Sequence, residues 1–343
     1  MADTTAKDVL ERYRQARSKR QHKDPLWHEL DLFDRNEQWD SAKLPEWVPK
    51  PVTNFIHLVK YTKRAALAIE NPVGKLYPLS SADAEGIRKL QKAYEYEFKL
   101  IKGRKVIREC IETAKLLGTG IAHIYYDDTV ITGSTNQRQK GQLKAREIDP
   151  ATFYPDPAAF RLEDCRYIHI VERKHVSWLK KHPVFGPKMS GIEPNNNSPE
   201  ERGEIYNRDY STTASTDGII DFHTHYEKIP LKEGGYQYRV IYLAGEKVVH
   251  RIDDLRPRCY PFAILYDFPQ RQDFWAKSTC EIVMSNQKLL NKVEATVALI
   301  GTLLQNPQKI IFKSSGIDPR EAKLYSSAPG HVWVSNVPVQ QAM

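Results

Sequence analysis

Residues 274–307 read FWAKSTCEIVMSNQKLLNKVEATVALIGTLLQNP and carry the longest helical pattern in the chain. Ser278 followed by Glu281 is a capping box, in which the hydroxyl and the carboxylate each bind a backbone N–H group that the first turn leaves unpaired. Pro307 cannot continue a helix. The pattern therefore predicts a helix over residues 278–305, which at 1.5 Å per residue is a rod about 42 Å long.

This predicted helix is apolar along one stripe and polar on two sides. The stripe consists of Ile282, Leu289, Val293, Ile300 and Leu304, widened by Val283, Leu290 and Val297. One polar side carries Ser285, Lys288 and Lys292, and the other carries Gln287, Asn291, Glu294, Gly301 and Gln305. Such a helix is expected to pack against copies of itself or against a returning helix. The alternative is an ordinary amphipathic helix that covers a sheet.

The order of motifs around this helix resembles that of tailed-bacteriophage portal proteins of the short-tailed type. Residues 260–330 hold an aromatic-Pro-Phe strand (YPF), an FWAKS turn, a helix with the core QKLLN, the dipeptide NP, and a strand that starts at APG. Earlier segments match in the same order, namely PKPVTNFIHLVKYTKRAALAIENP, AKLLGTGIAHIYYDD and IDPATFYPDPAA. The resemblance covers roughly residues 25–335.

The resemblance implies an α+β portal fold of mixed helices and antiparallel strands. Residues 1–276 would form the wing, residues 277–306 the first stem helix, and residues 307–343 the start of a clip, because portal proteins continue past this point. It implies a structural subunit without a cofactor, not an enzyme. A homo-oligomeric ring, usually of twelve subunits, would occupy one capsid vertex after assembly in the host cytoplasm.

The implied ring is a channel through which double-stranded viral DNA is packaged and ejected. Its partners would be the large terminase, the head–tail adaptor, and the major capsid and scaffolding proteins. A DNA channel must let a polyanion pass without binding it tightly. Each phosphate that the protein neutralises adds salt-dependent affinity, so a dense positive lining would hold the DNA. Scattered charges on the stem helix suit this demand, and the candidate lumen residues are Lys288, Lys292 and Glu294. The candidate clip contacts to terminase or adaptor are Lys313, Asp318, Arg320 and Lys323.

Composition sets wider limits on the function. The chain has 343 residues and a net charge of +8, which favours an acidic partner, nucleic acid first. A basic nucleic-acid-binding adaptor is therefore an alternative function. No apolar run approaches the roughly 18 residues that span a bilayer, and no secretory signal is predicted. The four scattered cysteines predict free thiols and neither disulfides nor a zinc site.

The remaining chain predicts helices over residues 4–22, 54–70, 81–101 and 104–117, and a short one over 175–182. A strand at 121–126 is predicted to form a hairpin with one near 145–148, another strand covers 167–171, and residues 153–157 are predicted as a turn. Residues 219–252 predict an antiparallel meander, after a polar loop over 186–217. Trp27, Trp39 and Trp47 suggest an N-terminal arm that packs onto a neighbouring subunit.

Two constellations could carry other chemistry. Asp156 after Pro155, with Glu172 and Lys174 after a strand, has the spacing of the PD…ExK metal-dependent nucleases. The simpler interpretation is that Asp156 caps a turn and that Glu172 and Lys174 are strand-end charges.

His223 and His225, with Asp221 nearby, share a strand face and could bind a metal, although no third ligand is apparent. Gly118-Thr119-Gly120 precedes a strand and is therefore no phosphate-binding loop.

Overall fold

The computed structural model describes residues 4–39, 45, 48–69, 74–78, 84–132, 139–194, 218–256, 258–305, 318 and 320. The chain divides into two compact units: residues 1–35 with 54–284, and residues 36–53 with 285–343. Helices and antiparallel sheets both occur, which confirms the α+β class. None of the described helices is long and apolar enough to cross a bilayer.

The helix over residues 24–34 was not predicted, and the other described helices fall close to the predicted positions. The helices are α1 (Ala6–Arg20), α2 (Asp24–Asp34), α3 (Phe55–Ile69), α4 (Ala84–Leu100), α5 (Gly103–Leu117), α6 (Val176–Lys181) and α7 (Thr279–Gln305). Gly118 ends α5 in a left-handed conformation with φ of 92°. A side chain at Gly118 would also meet the Ala276 carbonyl oxygen at 2.1 Å, so the position requires glycine.

The strands form two antiparallel sheets in the first unit. They are β1 (Thr119–Thr132), β2 (Gln139–Ile148), β3 (Phe153–Pro155), β4 (Tyr167–His175), β5 (Ile219–Pro230), β6 (Tyr236–Ala244), β7 (Lys247–Ile252) and β8 (Phe262–Tyr266). One sheet has the order β2-β1-β8, and the other has the order β3-β4-β5-β6-β7. The predicted hairpin and meander are confirmed.

Trp27 lies in the hydrophobic core of its own unit. Its side chain is 2% exposed, and its ring meets the edge of Trp275 at a centroid distance of 4.9 Å. The expectation that this residue packs onto a neighbouring subunit is therefore wrong. In the second unit, the Trp39 indole N–H donates to the Pro51 carbonyl at 2.9 Å. Trp47 lies outside the described residues.

Two segments predicted to be irregular contribute to the first unit. The predicted turn at 153–157 contains β3, which pairs with β4 through Phe153 and Ile170. The start of the predicted polar loop folds inward, because Met189 is fully buried beside Val249 and other apolar residues of a second core cluster. Residues 195–217 of that loop lie outside the described residues.

The amino end of α7 confirms the capping box. The Ser278 hydroxyl accepts a hydrogen bond from the Glu281 N–H at 2.8 Å, and the Ser278 N–H donates to the Glu281 carboxylate at 3.4 Å. The hydroxyl and backbone N–H of Thr279 both donate to Asp267 at 2.7 Å. Because Lys115 forms an ion pair with the same carboxylate, the first turn of α7 is held to the end of β8 and to α5.

Candidate functional site

The candidate stem helix α7 buries amide side chains within the second unit. Gln287 is 1% exposed and Asn291 is 3% exposed. The Gln287 amide donates to the Thr53 carbonyl and to the Asn291 side chain, both at 2.8 Å. The Asn291 amide donates in turn to the Gln38 side chain at 2.7 Å. We call Gln38, Gln287 and Asn291 the amide seam, and it joins Gln38 and Thr53 to α7.

The apolar stripe of α7 is exposed to solvent. The exposed fractions are 52% for Ile282, 62% for Leu289, 50% for Val293, 51% for Ile300 and 76% for Leu304. Each residue turns a helix by about 100°, so Leu289 and Asn291 point roughly 200° apart. This helix therefore buries polar groups and exposes apolar ones, which is the reverse of a helix that covers its own core. The alternative in which the stripe covers a sheet of the same chain is wrong.

The three candidate lumen residues do not share one side of α7. Lys288 and Lys292 are exposed and lie between the amide seam and the apolar stripe, about 100° and 140° around the helix from Gln287. Glu294 is half-buried, and one of its carboxylate oxygens is buried without a hydrogen-bond partner among the described residues. On the helix, Glu294 lies about 20° from Gln287 in angle, so it belongs to the seam side.

The structure describes two of the four candidate clip residues. Asp318 and Arg320 are both exposed, and the Arg320 backbone N–H donates to the Asp318 carboxylate at 2.9 Å. Lys313 and Lys323 lie outside the described residues.

The PD…ExK constellation does not form a nuclease site in the described structure. Strand register places Pro155 opposite Ile168, so Glu172 lies four residues farther along β4, or roughly 14 Å. Asp156 is only 2% exposed and binds the Arg166 guanidinium through both oxygens, at 2.6 and 2.9 Å. Although burial acts to raise it, the pKa of Asp156 is held below its usual value by these bonds.

The charge of the Glu172 carboxylate is also neutralised by neighbouring cations. Its carboxylate binds Arg146 at 2.6 Å and Lys174 at 3.2 Å. Asp156 accepts the Ala158 N–H at 3.1 Å, which is the turn-capping role that the simpler interpretation gave it. The two carboxylates are thus separate structural ion pairs.

His223 and His225 join a third buried histidine, His169 on the neighbouring strand. His169 Nε2 lies 2.9 Å from His223 Nδ1, and His169 Nδ1 lies 3.3 Å from His225 Nδ1. The Tyr13 ring of α1 stacks on His169 at a centroid distance of 4.8 Å. The sequence did not reveal His169 as a partner, because the register that places it opposite His225 joins residues 56 apart.

These three rings form a hydrogen-bonded line and not a metal site. His169 uses one ring nitrogen for each neighbour, so the three rings have no common point for a cation. Among the described residues no group of three or more His, Cys, Asp or Glu side chains could hold a metal ion. The possible metal site at His223 and His225 is therefore not supported.

The direction of donation along this line follows from its buried end. His225 Nε2 is buried and has no hydrogen-bond partner among the described residues. Burying an unpaired N–H group costs more free energy than burying an unpaired ring nitrogen that carries no proton, so Nε2 is the nitrogen without the proton. His225 therefore donates from Nδ1 to His169, which donates from Nε2 to His223. Burial lowers the pKa of His223 to about 4 and that of His225 to about 3, and lowers that of His169 strongly.

A comparison with family models gives one match. The model described as the phage SU10 portal protein matches residues 131–336, which is more than half of the chain. None of the curated proteins compared matches the chain. The matched range includes α7 and its exposed stripe. The chain belongs to the phage SU10 portal protein family and is therefore a phage portal protein, a structural component of the virion capsid.

Proposed function

We propose that this chain is the subunit of a twelve-fold ring that forms the DNA channel of a short-tailed phage. The family implies a homo-oligomeric ring in the capsid. Double-stranded DNA would pass through the ring during packaging and ejection. Residues 1–276 would be the wing, residues 277–306 the first stem helix, and residues 307–343 the start of the clip.

The exposed stripe on α7 carries the proposal. Five large aliphatic side chains, each at least half exposed, line one side of a helix of 27 residues, which is about 40 Å long. A contiguous apolar surface of this kind marks an interaction site in a soluble protein. In a closed ring each subunit presents two different surfaces to its neighbours. The stripe would be one of them, covered by the stem helix of the next subunit.

The lumen would lie on the side of α7 that carries Lys288 and Lys292. Gln38 and Thr53 cover the amide side of α7, which leaves the lysine side as the polar surface open to a channel. Two lysines per subunit, spaced by a turn, are a sparse positive lining. DNA could therefore move past them without a dense set of phosphate contacts. Glu294, on the seam side, would not line the channel.

The clip would bind the packaging and tail machinery. Residues 310–334, including Lys313, Asp318, Arg320 and Lys323, would contact the large terminase during packaging and the head–tail adaptor later. The wing would contact the major capsid and scaffolding proteins. These assignments follow the family resemblance and the exposure of Asp318 and Arg320.

Electron microscopy and light scattering of the purified chain test the ring. We expect rings with a central hole for the wild type. We expect V293D/V297D to stay monomeric, because carboxylates would be buried in the stripe. The matched control is S285D/T302D, which adds two carboxylates to exposed positions of the same helix outside the stripe and should still form rings. Equal assembly of both variants would contradict the role of the stripe.

A further inference from the structure

The turn between α4 and α5 concentrates unpaired positive charge. Residues 99–108 read KLIKGRKVIR, with five basic residues and no acidic one. All five basic side chains are exposed. Among the described residues, the one ion pair they form is between Lys105 and Glu109, at 3.5 Å. We call these five residues, Lys99, Lys102, Arg104, Lys105 and Arg108, the basic turn.

Several cations elsewhere in the same unit are neutralised by specific partners. Arg64 binds Glu112 at 2.6 Å, and Lys60 binds the same carboxylate at 3.4 Å. Arg146 binds Glu172 at 2.6 Å. In the basic turn, by contrast, four of the five exposed cations form no ion pair with the described residues.

The backbone shapes the basic turn into a concave surface. Lys102 is left-handed, with φ of 54°, and the Phe98 ring packs so closely on Gly103 that a Cβ there would lie 2.2 Å from it. The two helices thereby meet in a tight corner around a concavity of about 530 Å³, which is lined by Phe98, Gly103 and the five residues of the basic turn. Arg104 and Arg108 lie one helical turn apart, roughly 6 Å, so both can reach one row of anionic groups.

We propose that the basic turn binds the phosphate backbone of duplex DNA, as a contact separate from the channel. Its cations line an open surface, which fits an extended polyanion better than a single enclosed phosphate. Single-stranded nucleic acid is disfavoured, because Phe98, the one aromatic ring in the concavity, is half-buried against Gly103 and offers no free face for stacking. An acidic protein is disfavoured because the concavity lacks the cluster of apolar anchors at the centre of protein interfaces.

The number of phosphate contacts predicts how strongly the affinity for DNA should depend on salt. Each phosphate neutralised on duplex DNA contributes about −0.9 to the slope of log K against log salt, so five contacts give about −4.5. Affinity should then fall about 500-fold between 50 and 200 mM salt. The neutral variant K102Q/R104Q/R108Q retains two contacts, and its affinity should fall only about 12-fold over the same range.

A closed circular duplex separates this contact from the channel, because a circle has no end to thread into a ring. Binding of the full chain to a labelled circle is measured by filter retention between 50 and 200 mM NaCl. The control variant K180Q/K181Q/K188Q removes three exposed lysines from another part of the same unit. It should keep the wild-type slope, while K102Q/R104Q/R108Q should lose more than half of it.

Three outcomes would overturn the proposal. The first is an equal loss of slope in both triple variants, which would mean binding by general positive charge. The second is loss of binding in K288Q/K292Q but not in K102Q/R104Q/R108Q, which would leave the channel as the DNA contact. The third is displacement of the circle from the basic turn by a polyglutamate peptide at an equal charge concentration, which would point to an acidic protein segment. Circular dichroism of each variant verifies that it is folded.

Discussion

At the residue scale, the buried histidine line makes the first unit sensitive to acid. His169, His223 and His225 are each at most 6% exposed, and α1 covers them with Tyr13. Burial disfavours their charged forms and lowers their pKa values, to about 4 for His223 and about 3 for His225. Asp221 acts in the opposite direction on His223, and Arg12 acts in the same direction on His225. The line is therefore neutral in the folded chain at neutral pH.

The sign of the pH dependence follows from proton uptake. An unfolded histidine has a pKa near 6.5, so below that pH the unfolded chain binds more protons than the folded chain. The stabilisation is complete above about pH 6.5 and is lost as the pH falls toward the folded values. Between pH 7 and pH 5 we expect each of His223 and His225 to remove about 2 kcal/mol from the free energy of unfolding.

Urea denaturation at several pH values, followed by tryptophan fluorescence, measures this loss. H223Q should lose less stability than the wild type between pH 7 and pH 5, because one proton-binding site is gone from the unfolded chain. H22Q, which alters an exposed histidine, should keep the wild-type dependence. An unchanged pH dependence in H223Q would show that the line does not control acid stability.

At the element scale, the amide seam should decide whether Gln38 and Thr53 stay on α7. Asn291 both accepts from Gln287 and donates to Gln38, so N291A removes one hydrogen bond from each of two buried amides. Each unsatisfied buried group costs about 1–3 kcal/mol, and we expect N291A to lower the free energy of unfolding of this unit by at least about 2 kcal/mol. Hydrogen exchange of the backbone N–H groups in residues 36–53 should accelerate as this segment detaches.

The control for the seam lies two residues away on the opposite side of the same helix. L289A truncates a side chain that is 62% exposed, so in the monomer it should leave exchange in residues 36–53 unchanged. Equal hydrogen-exchange rates of these backbone N–H groups in N291A and L289A would show that the amide seam does not hold the segment.

The same helix shows what could be predicted from sequence. Its capping box and both ends were predicted to within one residue, because capping and chain termination depend on neighbours a few positions away. Its buried face was not predicted. The partners of Asn291 and Gln287 lie more than 230 residues away, and no local period reveals that two amides will be satisfied there. His169 was not predicted as a partner of His223 and His225 for the same reason, because strand register joins residues that are distant in sequence.

At the scale of the whole molecule, the lumen assignment depends on which side of α7 remains polar in the assembled ring. In the proposed ring the stripe packs against a neighbouring subunit, and Gln38 and Thr53 cover the amide side, so Lys288 and Lys292 should face the channel. A ring multiplies any charge change on that side by the number of subunits. K288E/K292E would convert a sparse positive lining into an equally sparse negative one that repels DNA entering the channel.

The expected result is a ring that forms normally but packages little DNA. Complementation with the variant chain, followed by measurement of DNA per capsid, tests this, and K288Q/K292Q should package close to the wild-type amount because it removes attraction without adding repulsion. K180E/K181E, which reverses two exposed lysines on α6, controls for total charge and should not reduce packaging. Normal DNA content with K288E/K292E would place the lysines outside the lumen. The channel would then have to be lined by another element, since the other two sides of α7 are already occupied in the proposed ring.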